Sequence, residues 1–259
     1  MGEPEAPERL PIVACMPEWA ADGPDEIDAL VEGRREQLAG GRWSGGGSAS
    51  RLAIVFAVRG RSRFLSHLES VDVVLRALRR AGQRVALSQG MKPKPLVSLA
   101  MPRGVGTASE AERCEVVLQD EVVLADLAPR LAASLPAGFV LLALEPLPPG
   151  RSAASRLRAA RMRLDVAAPA TQVRAAAAVF LSATEWPHVR RRPGKPDKTV
   201  DLRRYVQELV VEDAPDGGAA VSAVVEVTGE GSIRPEEIVT ALGDPPLLAV
   251  TRTAIELSD

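Results

Sequence analysis

The chain of 259 residues has little of what most catalytic centres are built from: two cysteines, two histidines and eight aromatic side chains. Cys15 and Cys114 lie about a hundred residues apart, so the chain cannot supply the roughly three or four neighbouring thiolates that an iron–sulfur cluster requires. His67 and His188 stand at no ligand spacing from a cysteine or from each other, which argues against a structural or three-histidine zinc. No apolar run approaches the roughly 20 residues of a membrane helix. The opening "MGEPEAPERLP" is acidic and proline-rich where a signal peptide is basic and then apolar. The expectation is a cytoplasmic protein with no membrane contact and no metal or cofactor of its own.

What the chain does have is arginine, unevenly placed. Formal net charge is −2, yet residues 1–48 hold ten acidic and four basic side chains, whereas 59–103 hold ten basic against two acidic. A second basic block, 188–204, holds seven against two. Residues 1–50 end in "GGRWSGGGSAS" and read as an acidic appendage with a Gly/Ser linker and one short helix upstream of Gly40.

From residue 51 the pattern turns regular. "RLAIVFAVRG" is a strand, and "SHLESVDVVLRALRRAG" a helix with apolar residues at 68, 71, 75 and 78. Strands fit 84–88, 96–100 and 113–119, a helix fits 124–135, and "GFVLLALEPL" is another strand before prolines. Residues 151–259 repeat that order, with a helix capped by Thr171 and the turn "PGKPDK" joining two strands. The expected fold is α+β: two tandem ferredoxin-like (split β-α-β) halves, 51–150 and 151–259, with mainly antiparallel sheets.

The stretch "RGRSRFLSHLES", residues 59–70, concentrates the chemistry. Ser66 and Glu69 form S-x-x-E ahead of an apolar-periodic segment, a capping box, and that structural role displaces a serine nucleophile for which no acid partner is evident. His67 becomes the first helical residue, where free amides and the helix dipole favour a neutral imidazole; it is the candidate catalytic acid/base or a phosphate-binding donor, the alternative being a partly buried helix-end histidine. If the strand runs on to the helix, Arg59, Arg61 and Arg63 share one face and cradle an anion, phosphate above all, at the helix N-terminus. The alternative is a solvated edge strand whose arginines prevent pairing.

Downstream, "SQGMKPKPLVSLAMPRGVGTASEAE" offers a loop in which Pro93 and Pro95 impose extended backbone and Gly90 and Gly104 permit close approach to a ligand. Lys92, Lys94 and Arg103 make it positive. It is not a phosphate-binding G-x-x-x-x-G-K-[ST] loop. The remaining expected phosphate contacts are Arg76, Arg79 and Arg80 on the helix, and Arg190, Arg191, Arg192, Lys195, Lys198 and Arg203 in the second block.

Taken together, "RGRSRFLSHLES", "RALRRAG", "LSQGMKPKPLVSLAMPRGVGTASEAE" and "VRRRPGKPDKTVDLRRYV" resemble the uncharacterised radical SAM-linked protein family, over residues 51 to about 210. By position the resemblance carries over Gly60, Arg63, Ser66, His67, Arg76, Arg79, Arg80, Ser88, Gly90, Pro93, Pro95, Ser98, Gly104, Ser109, Glu112, Lys198, Asp201, Leu202 and Arg203, without assigned roles. Met91 and Leu99 stand where members carry aromatics. The resemblance implies a stand-alone chain working with a radical SAM partner that holds the S-adenosylmethionine, the iron–sulfur cluster and a cobalamin-binding domain.

These readings converge on an accessory protein that binds structured RNA through phosphates and presents it to the radical SAM protein. Eight aromatics provide little for stacking on bases. Two other functions compete: an endoribonuclease-like enzyme using His67, and a protein-only scaffold for the same partner.

Overall fold

The structure, a computed structural model, describes residues 48–148 and 150–258. The acidic appendage and its expected helix lie outside the described residues, except that Ser48–Ser50 already belong to the first strand.

Strand β1 (Ser48–Val58) alternates as a central strand must: Leu52, Ile54, Phe56 and Val58 are buried under helices. On the reverse side Ala53 lies between its cross-strand partners Glu115 and Glu145, which pair with Arg51 at 3.1 Å and Arg113 at 2.7 Å. Helix α1 (His67–Arg80) follows, burying Ser70, Val74, Ala77 and Leu78. The stripe is therefore rotated from the expected 68, 71, 75 and 78. The capping box starts the helix in a phase that turns Leu68 to solvent, where it is 74% exposed.

The strands expected at 84–88 and 96–100 are one line of chain with a loop spliced into it. Ala86 N–H donates to the Val117 carbonyl and Val117 N–H donates to Leu96, so residues 87–95 leave and rejoin at the same level. What remains regular is β2 (Val97–Leu99), on β3 (Ala108–Val123), a strand longer than expected. Helix α2 (Leu124–Ser134) and β4 (Phe139–Pro146) complete this half. Its core joins β1, α1, β3 and α2 around Phe56, Leu78, Leu127 and Leu131.

A short helix α3 (Ala153–Arg156), capped by Ser152, leads into β5 (Leu157–Val166) and helix α4 (Ala170–Ser182). The N-cap of α4 is Pro169, not Thr171, which falls inside the first turn; Pro169 contributes its carbonyl to the first helical bonds and no side-chain cap is made. A two-stranded hairpin, β6 (Pro187–Arg192) and β7 (Lys195–Asp201), stands apart from the main sheet. Then come β8 (Val206–Asp213), β9 (Ala219–Glu226), α5 (Pro235–Ala241) and β10 (Leu247–Leu257), over a second core centred on Phe180, Leu202 and Ile238.

Among the described residues the architecture is α+β with five helices and one mainly antiparallel mixed sheet of eight strands, in the order β4-β1-β3-β10-β5-β9-β8 with β2 also on β3. The two cores are joined where β10 runs parallel to the start of β3, over only two register positions, Thr251 with Ala108 and Arg252 with Ser109. Among the described residues no helix is long and apolar enough to cross a membrane.

Candidate nucleic-acid interface and the arginine turn

The arginines of the first motif are not on a strand. After Val58 the chain bends at Gly60, whose φ of +54° suits glycine, into a 3-10 turn over Gly60–Phe64. With a repeat of about three residues instead of two, the alternation expected of Arg59, Arg61 and Arg63 is lost. Arg59 N–H donates to the Gly138 carbonyl at 2.8 Å, and Ser62 Oγ donates to Ala137 at 2.9 Å. Gly138, at φ +84°, has no room for a side chain: a Cβ there would lie 2.6 Å from Ser62 Oγ and 2.7 Å from the Arg59 carbonyl.

Arg103 is the part of the basic loop that the structure removes from the phosphate contacts. Only 5% exposed, it donates to the carbonyls of Arg63, Thr107 and Leu65 and to Ser70 Oγ, at 2.6 to 3.1 Å. Its planar fork suits a cluster of carbonyls as well as it suits a phosphate. Gly106 N–H also donates to the Arg63 carbonyl. Arg103 thus fastens the loop before β3 to the arginine turn.

The capping box is present as expected: Glu69 N–H donates to Ser66 Oγ at 3.3 Å and Ser66 N–H to Glu69 Oε2 at 2.7 Å. Behind it His67 is half-buried, its Nδ1 buried with no hydrogen-bond partner. Its pKa is lowered, chiefly by burial; Glu112 opposes that, and the Arg252 and Arg103 charges add to it. The neutral imidazole follows. Beneath lies an ion pair that the sequence reading missed: Arg252 of β10 and Glu112 of β3, each 2% exposed, 2.9 Å apart. Arg252 also donates to the carbonyls of Met101 and Pro102. The only trace in the sequence is an arginine inside the apolar run "LLAVTRTAIEL".

Beside the arginine turn opens a cleft of about 360 Å³ between the two halves. One wall is Arg59, Arg63 and Phe64; the other is Leu248–Thr251 of β10; Gly106, Ser109 and Glu110 form the base. Arg59 reaches Glu110 at 4.0 Å, and the Arg63 guanidinium lies 4.9 Å from the ring centroid of Phe64, which is 52% exposed. Arg61 is exposed nearby on the turn.

The other candidate cations gather at the opposite end of the sheet. Helix α1 carries the chain about 20 Å from His67 to Arg80, exposing Arg76, Arg79 and Arg80 along its second half. The spliced loop, closed by Ser88 N–H to the Lys94 carbonyl and Lys94 N–H to Ser88 Oγ, emerges beside Val117, nine residues and about 30 Å along β3 from Ala108. Lys92, Pro93, Lys94 and Pro95 are exposed on it, with Gly90 at φ +136°. β10 is parallel to β3, and β9 is antiparallel to β5, so the end of β9 lies at this same end of the sheet. Just past β9, Ser232 and Glu237 hold Arg190 of the hairpin in bonds of 2.6 to 2.7 Å.

Two members of the second block are therefore committed to structure: Arg190 to Glu237, and Arg203 to the carbonyls of Leu181 and Val206. Arg191 and Lys198 are exposed, and Arg192 and Lys195 occupy the hairpin's turn end. A single groove holding Arg63, His67, Lys92 and Arg203 does not form, because the first pair and the second pair lie at opposite ends. Among the described residues no group of histidine, cysteine, aspartate and glutamate is placed to hold a metal ion, and Cys114 is free and fully buried.

No curated protein matches the chain. Its residues 51–235, from β1 through the arginine turn, the spliced loop and the hairpin to the start of α5, match a family described as uncharacterized protein conserved in bacteria (DUF2344), and the chain belongs to that family.

Proposed function

We propose that the protein is an RNA-binding accessory module whose phosphate-contacting face is the end of the sheet opposite the arginine turn. The observation that supports this is that exposed cations of both halves sit on elements at that end: Arg76, Arg79, Arg80, Lys92 and Lys94 from the first, Arg191 and Lys198 from the second. They belong to a helix, a loop and a hairpin that differ in sequence yet lie toward the same end of the sheet. With few aromatics there, recognition rests on phosphate positions and duplex shape.

The same proposal takes the fold as two tandem ferredoxin-like halves; in its support, the strand orders β4-β1-β3-β2 and β10-β5-β9-β8 correspond element by element. It takes the module as cytoplasmic and as presenting RNA to a radical SAM enzyme that carries the S-adenosylmethionine and cluster, in keeping with the motif resemblance and with a chain of two cysteines.

The test is fluorescence anisotropy of a structured RNA hairpin with the full chain from about 50 to 200 mM salt, a range over which several phosphate contacts cost orders of magnitude in affinity. A steep salt dependence that flattens in Lys92→Ala/Lys94→Ala supports the proposal. Binding that is weak and flat in salt overturns it.

A further inference from the structure

The cleft beside the arginine turn has a feature that phosphate binding does not use. β10 keeps β5 on one side along its whole length, but on the other it meets β3 only at Thr251 and Arg252. Leu247–Val250 thus has a strand neighbour on one side alone, and its other edge lines the cleft. The cause is local. Arg103 and Gly106 bind the 103–107 loop to the Arg63 carbonyl, pulling the chain off β10 just where β3 would otherwise continue beside it. An open strand edge presents unpaired amides and carbonyls to any extended chain laid against it.

We propose that this edge takes, by strand addition, an extended apolar peptide with acidic flanks, and that the peptide is the protein's own amino-terminal segment around residues 10–16. Three observations select it. The opposing wall is Arg59 and Arg63 with Arg61 close by, while the segment before β1 holds ten acidic against four basic residues, with Glu3, Glu5, Glu8 and Glu18 against the single Arg9 around the run. The run itself, "LPIVACM", is the β-branched, apolar stretch of that segment, suited to a strand beside Leu248 and Val250 and to the exposed Phe64. The reach suffices: β1 has 11 residues, about 36 Å, between Ser48 and the cleft. Residues 17–47 span up to about 100 Å when extended. Tethering makes docking intramolecular, so modest contacts fill the site. The cleft is then filled or open according to what competes for it, independently of the cationic face at the other end.

Cys15 lies within the docking run and provides the probe. Cys114 cannot interfere, since it is fully buried and burial pushes its thiol up to about 12. In full-length Thr251→Cys, oxidation with copper phenanthroline should join Cys15 to the new cysteine roughly tenfold or more faster than in full-length Lys92→Cys, whose cysteine lies at the far end. The advantage should disappear in Arg59→Ala/Arg63→Ala or at about 1 M salt, where the screening length falls to about 3 Å. Equal rates in the two cysteine variants overturn the proposal. Cross-linked dimers without the intrachain product overturn the choice of occupant, assigning the edge to a second copy. If the rates are equal and a short oligoribonucleotide saturably shifts a fluorophore on Thr251→Cys, the cleft is an RNA site instead.

Discussion

The two ends of the sheet differ in how far their cations are buried. Beneath the arginine turn two guanidinium groups are structural, Arg103 gathering three carbonyls and Arg252 pairing with a buried carboxylate, much as Arg190 and Arg203 are at the other end. At the other end Arg79, Arg80, Lys92 and Lys94 stand in solvent. A count of positive charges along the sequence makes the two ends equivalent. Burial separates them, because a charge taken out of water must be paired and hydrogen-bonded, whereas an exposed one remains available to a partner.

The contrast is broken most directly at the buried pair. Arg252→Met leaves Glu112 buried without its partner and should lower unfolding free energy by about 3–5 kcal/mol in chemical denaturation. Glu112→Leu/Arg252→Met should recover much of the loss, since replacing both charges with apolar groups is often neutral. Next in size, Arg103→Met should cost about 1–3 kcal/mol by stranding the carbonyls it now serves, with no change in the salt slope of RNA binding. Ser66→Ala, which removes the cap of α1, should cost about 1 kcal/mol.

At the other end the signs reverse. Lys92→Ala/Lys94→Ala should leave stability within about 0.5 kcal/mol but lower the log–log salt slope by roughly 1.5, close to two phosphate contacts. Arg203→Ala should do the opposite, because its guanidinium holds the carbonyls of Leu181 and Val206.

The smallest effect belongs to His67. Its pKa is lowered in the fold, so the unfolded chain binds more protons and stability rises with pH across the window below the ordinary value near 6.5. The contribution is full above that value and is lost as pH falls. His67→Gln should flatten that part of the stability–pH profile; an unchanged slope would show that the imidazole is not desolvated.

How much of this could be read from the residues depended on range. The capping box is a relation over three residues and was legible; so were the α+β class and most helices, which rest on local periodicity. The arginine turn reads as strand in the sequence, because alternate arginines look the same on paper in either conformation and one glycine changes the repeat. Leu68 was placed on the buried stripe because an apolar residue at helical spacing carries no mark of the phase that the cap imposes. The loop at 87–95 read as a break between two strands, since only the shared partner Val117 reveals a single line. The Glu112–Arg252 pair spans 140 positions, and its one local trace, an arginine in an apolar run, does not point to its partner.

The position of β10 has a consequence for how the molecule comes into being. It is the last of the described strands to leave the ribosome, yet it occupies the middle of the finished sheet, between β3 and β5. Until it arrives, Glu112 has no Arg252 to pair with, and a first half folded that early would have to hold its shape with that carboxylate still hydrated. Insertion of β10 brings Arg252 to it and joins the two cores in one event. A nascent chain halted before Leu247 would therefore be two loosely related halves, and the sheet that places one cationic edge opposite one cleft exists only once the final strand is in.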